Sequence, residues 1–242
     1  MFKDIHAFDP VSLTWYQGPE GTGSPAERFG HSAGLTMGSK MVVFGGANTK
    51  NAFNDINILN LESMAWSHPE TKGPAPSPRY NHASVVIKNT ILIQGGFSFE
   101  DSLLSNKEKM GSNLKACYLN DVRLLQTEKM LWVRLAVSGS PPLPRFGHSL
   151  NISGSNIIMF GGWSSESNSK IDENSVNGPV EYVKNLNVDK LIWEGSSMRK
   201  HLPKGRYGHS ATTIGPHLLI FGGWELNRAT NDVIILRYLD NS

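Results

Sequence analysis

Four histidines recur along the chain in the same local context, and histidine is a common metal ligand. They are His31, His82, His148 and His209. A metal site generally gathers ligands of several types from few elements, whereas these imidazoles are spread one to each copy of a repeated motif. Each also sits beside a small residue, which predicts a buried ring that hydrogen-bonds to neighbouring backbone. We therefore expect no metal at these positions.

Four arginines stand three residues before these histidines, and they could bind an anionic partner. They are Arg28, Arg79, Arg145 and Arg206. A guanidinium group binds carboxylates and phosphates through two hydrogen bonds, so a ring of four could hold an acidic or phosphorylated segment. In the structural alternative, each arginine ties its loop to a neighbouring unit through backbone carbonyls. The two roles are compatible, and if binding dominates, alanine at Arg79 and Arg145 should hardly change melting.

The sequence carries no recognisable catalytic signature. Neither a Ser-His-Asp pattern, a P-loop nor a dinucleotide-binding glycine pattern is present. The Gly-Gly pairs lack the following Lys-Ser/Thr or helix start that a phosphate cradle requires. The single cysteine, Cys117, is expected to be an ordinary thiol in a loop or at a strand edge. We expect no catalytic residue and no cofactor.

Composition favours a folded chain of many short strands. The 242 residues are 39% hydrophobic and 18% charged, with 24 glycines and 13 prolines, which indicates a core and many tight turns. The net charge of +2 is too small to argue for nucleic acid or a membrane surface as partner. One cysteine, and no apolar stretch suited to a signal or a membrane span, favour a cytoplasmic or nuclear location.

Two sequence elements recur four times and position the arginines and histidines. The first is Pro-x-x-Arg-(Phe/Tyr)-(Gly/Asn)-His-(Ser/Ala); the second is a short apolar run that ends in Gly-Gly. The four copies of the first element are Pro25–Ser32, Pro76–Ala83, Pro142–Ser149 and Pro203–Ser210. The arginine precedes the first glycine by 17, 16, 16 and 16 residues. So constant a distance predicts a fixed hairpin of two strands, A and B.

A third element supplies two further strands, C and D. An aspartate is followed eleven residues later by tryptophan in the pairs Asp4 and Trp15, Asp55 and Trp66, and Asp121 and Trp132. Trp193 fits the pattern, but Tyr182 stands where its aspartate is expected, and Asp232 begins a last copy. Strand B is apolar throughout and is therefore buried on both faces. Four-stranded sheets that cover one another in this way are the blades of a propeller.

Together, the Gly-Gly pair after an apolar strand, the distant tryptophan and the Arg-x-Gly-His lead-in resemble the kelch repeat. The resemblance covers essentially the whole chain and implies an all-β fold, a β-propeller of four-stranded antiparallel blades, as one domain over residues 1–242. The repeats are expected at roughly 1–22 (partial), 23–73, 74–139, 140–200 and 201–242 (partial). Kelch propellers usually have more blades, so we expect an incomplete ring or a segment of a larger propeller. The strand Leu13–Tyr16 could close the Asp232 blade.

One end of the blades is favoured for binding. The residues before strand A and those after strand B lie at the same end of an antiparallel sheet, so the arginines share a rim with the B–C loops. Two of these loops are long, with 25 residues from Gly96 to Asp121 and 20 from Gly162 to Tyr182. The first could contain a helical turn, and the second is expected to be flexible. Besides the arginines, the candidate contact residues are Phe97, Phe99, Trp163 and Trp224, while the strand tryptophans are expected to pack between blades.

The kelch resemblance implies a non-catalytic module that binds another protein as a scaffold, adaptor or regulatory propeller. An alternative is the kelch portion of a larger enzyme, such as a kelch-fused phosphatase, or of a ubiquitin-ligase adaptor. A third is a metal-dependent propeller enzyme. The copper oxidases of this kind need a cysteine cross-linked to a tyrosine, an arrangement that the adjacent Cys117 and Tyr118 do not reproduce.

Overall fold

The computed structural model describes residues 3–18, 23–36, 38–100, 115–164, 182–195, 205–225 and 227–237. Every regular element among them is a β-strand, and no helix there is long and apolar enough to cross a membrane. The strands form an N-terminal hairpin and four further sheets. The hairpin contains β1 (His6–Asp9) and β2 (Thr14–Gln17).

Three of these sheets follow the predicted A-B-C-D order as antiparallel meanders, and the last contains strands A, B and C within the described residues. Blade 1 contains β3 (Ser32–Thr36), β4 (Lys40–Phe44), β5 (Ile56–Asn60) and β6 (Ala65–Ser67). Blade 2 contains β7 (Ala83–Ile87), β8 (Thr90–Glu100), β9 (Lys115–Gln126) and β10 (Leu131–Arg134). Blade 3 contains β12 (Phe146–Ser153), β13 (Asn156–Trp163), β14 (Val183–Asn187) and β15 (Ile192–Gly195), and β11 (Ser138–Gly139) pairs parallel to β15. Blade 4 contains β16 (Ser210–Ile214), β17 (His217–Glu225) and β18 (Arg228–Arg237).

Apolar side chains fill the space between successive blades. Val42 and Phe44 of blade 1 pack in one cluster with Ile93 and Trp132 of blade 2, and similar clusters join blade 2 to blade 3 and blade 3 to blade 4. The central strands of blades 2 and 3 are therefore covered on both faces, whereas one face of blade 4 is exposed. The predicted β-propeller of four-stranded antiparallel blades is confirmed.

The strand tryptophans follow the stacking order of the blades. Trp132 and Trp193 are almost fully buried in the clusters between blades, as expected, and Trp66 is partly buried. Trp15 differs, since it is 67% exposed and contacts Phe8 within its own hairpin. The expectation that all four pack between blades is therefore wrong for Trp15, because no described blade lies against it.

The described ends of the propeller do not pair in the way that ring closure would require. The strand proposed to complete the last blade, β2, pairs with β1, where Trp15 lies opposite Phe8. Within the described residues β18 pairs with β17 alone and is an edge strand. Phe221 and Val233, on the outer face of blade 4, are more than half exposed. The hypothesis that the Leu13–Tyr16 strand closes the ring is therefore wrong for this structure.

The Gly-Gly pairs are required by two close contacts. The second glycine has φ between 91° and 102° in all four copies. A Cβ atom on it would lie 2.8 or 2.9 Å from the Cβ of the histidine on strand A of the same blade. Its amide donates to the carbonyl of the next blade's arginine, for example from Gly46 to Arg79 at 2.9 Å. The pair thus brings strand B against its own blade and the following one.

Candidate partner-binding rim

The arginine motif and the Gly-Gly pair of each blade meet at one end of the sheet, as the sequence predicted. Each motif arginine donates from Nη1 to the carbonyl of the first glycine of its own blade; Arg28 reaches Gly45 at 2.8 Å, and Arg206 reaches Gly222 at 2.9 Å. The residue after the arginine pairs with the residue after Gly-Gly, as Tyr80 does with Phe97. We call this end of the blades, with its D–A and B–C loops, the rim.

Three of the arginines bind the aspartate that begins strand C of the same blade. Arg28 holds Asp55 through two hydrogen bonds of 2.7 and 2.9 Å. Arg79 holds Asp121 at 2.8 and 3.2 Å, and Arg206 holds Asp232 at the same two distances. The ion pair fixes the D–A loop to the start of strand C. The aspartates therefore pair within the blade.

Blade 3 has Tyr182 in place of the aspartate. Gly161 donates its amide to the Tyr182 carbonyl at 2.7 Å, as Gly45 does to Asp55 at 3.3 Å, so the backbone positions match. Arg145 donates to the carbonyls of Gly161 and Leu143. The Tyr182 ring fills the space against Gly205, where any Cβ atom would collide with it. Burial raises the pKa of Tyr182.

The four guanidinium groups are buried, since the residues are only 1–9% exposed. Their side chains bind their own blade, and their backbone carbonyls bind the preceding blade through the Gly-Gly amide. The structural alternative expected the arginine side chain to contact the neighbouring blade, whereas in the structure the backbone carbonyl makes that contact. Burial also reverses the expected effect on melting, since removal of a buried guanidinium takes away the donor to a buried glycine carbonyl in every blade and, in three blades, a partner of the aspartate. Their role in binding a partner stays a prediction.

The aspartates are held in their charged form. Burial alone would raise the pKa of Asp55, but hydrogen bonds from Arg28 and Asn57 outweigh it and leave that pKa below its usual value. The pKa of Asp121 is likewise lowered, because Arg79 and Arg123 together outweigh its desolvation. The ion pairs at the rim are therefore stable at neutral pH.

Two of the four motif histidines bridge successive blades through hydroxyl groups, and the expected contact with neighbouring backbone is present between His209 and Arg206. His82 Nε2 lies 2.8 Å from Ser32 Oγ of blade 1, and His209 Nε2 lies 2.9 Å from Ser149 Oγ of blade 3. Burial, reinforced by Arg79, lowers the pKa of His82 to about 3, and burial with Arg206 lowers that of His209 to about 4. These rings are neutral and structural. Among the described residues no group of three possible ligands could hold a metal ion.

His148 lacks this bridge. The residue in the position of Ser32 and Ser149 is Ala83, which has no hydroxyl, and His148 Nε2 has no hydrogen-bond partner within the described part of the chain. Burial and the adjacent Arg145 hold the pKa of His148 well below its usual value. The imidazole is therefore neutral. Its Nε2 has no partner with hydrogen-bond geometry among the described residues, although the Gln94 backbone opposes part of the lowering of its pKa.

The predicted aromatic contact residues lie at the rim. Phe97, Trp163 and Trp224 follow the Gly-Gly pairs and lie opposite Tyr80, Phe146 and Tyr207, the aromatic residues that follow the motif arginines. In blade 1, Ala47 lies opposite Phe29. Phe99 lies further along β8, opposite Ala116. Trp224 is 46% exposed, while Phe97 and Trp163 are partly buried.

Sequence reasoning missed a continuous row of rings across the four blades. Successive ring centroids are 5.2–5.9 Å apart. This aromatic row consists, in order, of Phe29, Tyr80, Phe97, Phe146, Tyr207 and Trp163. The available signal was the Phe or Tyr after every motif arginine, which the sequence analysis noted without assigning it a role.

The two long B–C connections are described only in part. Strands β8 and β9 continue their pairing past the Gly-Gly pair as far as Glu100 and Lys115, after a bulge between Gln94 and Gly96. The helical turn expected within residues 97–119 would fall on 101–114, and most of the segment expected to be flexible falls on 165–181. Both ranges lie outside the described residues.

Comparison with known protein families places the chain in one of them. The KLHDC2/KLHL20/DRC7 Kelch-repeats domain matches residues 1–166 and, in a second overlapping match, 111–242. The two matches cover the whole chain. The chain therefore belongs to the kelch-repeat family.

Several curated proteins resemble the chain over most of its length. Tip elongation aberrant protein 1 of Schizosaccharomyces pombe is 30% identical over 217 residues, which are 88% of this chain and 17% of that protein. Kelch domain-containing protein 3 of Bos taurus is 28% identical over 95% of this chain and 59% of its own length. Rho GTPase-activating protein gacHH of Dictyostelium discoideum is 35% identical over 66% of this chain and 10% of its own length. The chain thus spans between a tenth and three fifths of these relatives. Kelch-repeat propellers are in general protein-interaction modules.

Proposed function

We propose that this propeller is a non-catalytic module that binds another protein through the rim. The observation that carries the proposal is the aromatic row together with Trp224, which places partly exposed rings from all four blades at one end of the fold. Aromatic side chains with partial exposure are typical anchors of protein interfaces.

The buried arginines support this function by holding the rim rigid. Each one links the D–A loop, the Gly-Gly turn and, in three blades, the aspartate of strand C. A surface that is fixed before binding loses less conformational entropy when a partner docks. We therefore assign the arginines to positioning the contact residues. The location we propose is the cytoplasm or nucleus, on the basis of the single cysteine.

The test compares a rim variant with a control at the other end of the sheet. The rim variant is Phe29→Ala with Trp163→Ala; the control is Leu35→Ala, since Leu35 is 54% exposed near the A–B turn. Both are immobilised, exposed to native extract and cross-linked, and the cross-linked positions are mapped by mass spectrometry. We expect rim cross-links that the rim variant loses and the control keeps. Equal capture by both variants, or cross-links confined to other surfaces, would refute the proposal.

A second candidate is that the chain is the kelch portion of a larger protein. The observation that favours it is the small share of the relatives that the chain spans, among them a protein named as a Rho GTPase-activating protein. The kelch part would then bind while another domain acts. Immunoblotting of native extract with an antibody against this propeller tests it: a band well above 26.6 kDa supports the larger protein, and a band at that mass contradicts it.

A further inference from the structure

At the rim, a partner protein would meet aromatic rings and few backbone groups that are free to form hydrogen bonds. Phe29 exchanges both backbone hydrogen bonds with Ala47 at 2.9 Å, and Tyr80 exchanges both with Phe97 at 2.9 and 3.0 Å. Tyr207 does the same with Trp224 at 2.9 and 3.1 Å. A partner strand cannot add to amides and carbonyls that are already paired. Recognition along the row must therefore use side chains.

The rim also offers a partner few free cations. The motif arginines are buried and hydrogen-bonded, and the Asp55 and Asp232 carboxylates neutralise two of them from half-exposed positions. In blades 1, 2 and 4, a phosphate or carboxylate on a partner would have to displace a bidentate carboxylate that the blade already holds in place, and in blade 3 the buried Arg145 donates to backbone carbonyls. Charge complementarity at the described rim therefore favours a partner segment without negative charge.

Aromatic rings with paired backbone suit a segment that itself needs few hydrogen bonds. Proline has no backbone N–H, so it can lie on an apolar ring without leaving a donor unsatisfied. Proline-rich segments adopt the polyproline II helix, which is already extended and loses little entropy on docking in grooves lined by aromatic residues.

The spacing of the row fits that helix. Neighbouring centroids are 5.2–5.9 Å apart, for example 5.5 Å between Phe29 and Tyr80. Every second ring is therefore separated by no more than about twice that distance, so one polyproline II segment, which rises about 9 Å per turn of three residues, is long enough to contact several rings of the row. The hydroxyl of Tyr207 can donate to a carbonyl of such a segment.

We propose that the aromatic row binds a proline-rich segment of a partner protein in the polyproline II conformation. The inference rests on the proposed function, because it names the chemistry of the partner at the same rim. It differs from the acidic or phosphorylated partner that the sequence suggested.

The test selects ligands without assuming a sequence. Random twelve-residue peptides displayed on phage are selected on the wild-type protein and on the Leu35→Ala control, with the variant Phe29→Ala, Trp163→Ala as counter-selection. The strongest peptide is then synthesised together with a version in which alanine replaces its prolines. Fluorescence anisotropy measures the dissociation constants of both. Because the double variant could be less stable, Phe29→Ala alone is measured as well, since Phe29 is 45% exposed.

We expect selected peptides with prolines three residues apart, at least tenfold weaker binding after proline replacement, and a similar loss in the rim variants but not in the control. Selection of acidic peptides, or binding that is unchanged by proline replacement, would overturn the inference. If cross-links map to the rim while selection yields such peptides, the proposed function stands and the class of partner is wrong. If cross-links avoid the rim as well, both are wrong.

Discussion

Ala83→Ser should stabilise the protein by completing a hydrogen bond that two other blade interfaces already make. Ser32 Oγ and Ser149 Oγ lie 2.8 and 2.9 Å from the Nε2 atoms of His82 and His209. Ala83 of blade 2 occupies the position that corresponds to Ser32 and Ser149. His148 of blade 3 has no hydrogen-bond partner for its Nε2 among the described residues. A serine hydroxyl there is expected to reach this nitrogen at a similar distance.

The expected gain is about 1 kcal/mol, the usual net contribution of one buried hydrogen bond. In a protein of this size, that raises the melting temperature by about 2–4 °C. A buried hydroxyl that failed to reach the nitrogen would instead cost about 1–3 kcal/mol, so the sign of the change is informative. Urea unfolding at pH 7.5 and differential scanning calorimetry measure it.

Two matched variants isolate the hydrogen bond. Ser32→Ala removes the existing bond to His82 and should destabilise by about 1–2 kcal/mol. In a His148→Phe background, Ala83→Ser should lose its benefit, because the hydroxyl has no nitrogen to meet. A destabilising effect of Ala83→Ser in the wild-type background, with the expected loss for Ser32→Ala, would refute the equivalence of the blade interfaces.

Three further predictions concern the buried arginines, the buried histidines and the metal content of the protein. Arg79→Ala should destabilise by about 3 kcal/mol in urea unfolding, because it removes the buried partner of the Asp121 carboxylate and the donor to the Gly95 carbonyl, and Asp121 keeps only the more exposed Arg123. Arg123→Ala should cost about 1 kcal/mol or less; equal effects would contradict this. Because the folded-state pKa values of His82 and His209, about 3 and about 4, lie below the ordinary 6.5, stability should be complete above pH 6.5. It should fall by about 1.4 kcal/mol per pH unit for each such histidine as the pH drops from 6.5 towards 4, and a flat profile would show that the rings are solvated. Elemental analysis of the purified protein should find no stoichiometric metal. A metal content of one per chain would support the alternative of a metal-dependent propeller enzyme.

Contacts within a repeat could be predicted because they repeat with the sequence. The constant distance from arginine to Gly-Gly predicted the A–B hairpin, and Arg28 does reach Gly45. The aspartate partners of the arginines were harder to identify. The aspartate lies 27 residues after the arginine in blade 1 and 42 residues after it in blade 2. The long insertion in blade 2 changes that separation without changing the geometry.

Apart from the packing of the strand tryptophans, contacts between repeats could not be predicted from the sequence. The pairs of Ser32 with His82 and of Ser149 with His209 join residues 50 and 60 positions apart, and they depend on how one sheet lies on the next. The same stacking brings Phe29 next to Tyr80, and Phe97 next to Phe146, to form the aromatic row. The exposure of Trp15 is also a property of the stack, since its motif is the same as that of the buried Trp132.

By itself, the amino-acid sequence determined the blade, its four strands and the end of the blade at which arginine and Gly-Gly meet, because these depend on alternation and spacing within one repeat. The tertiary structure alone decided which groups at that end are exposed and which are buried. The arginine side chains are buried against carbonyl groups and, in three blades, a carboxylate, whereas the aromatic rings are partly exposed. A guanidinium removed from water needs such acceptors beside it, and an aromatic ring does not.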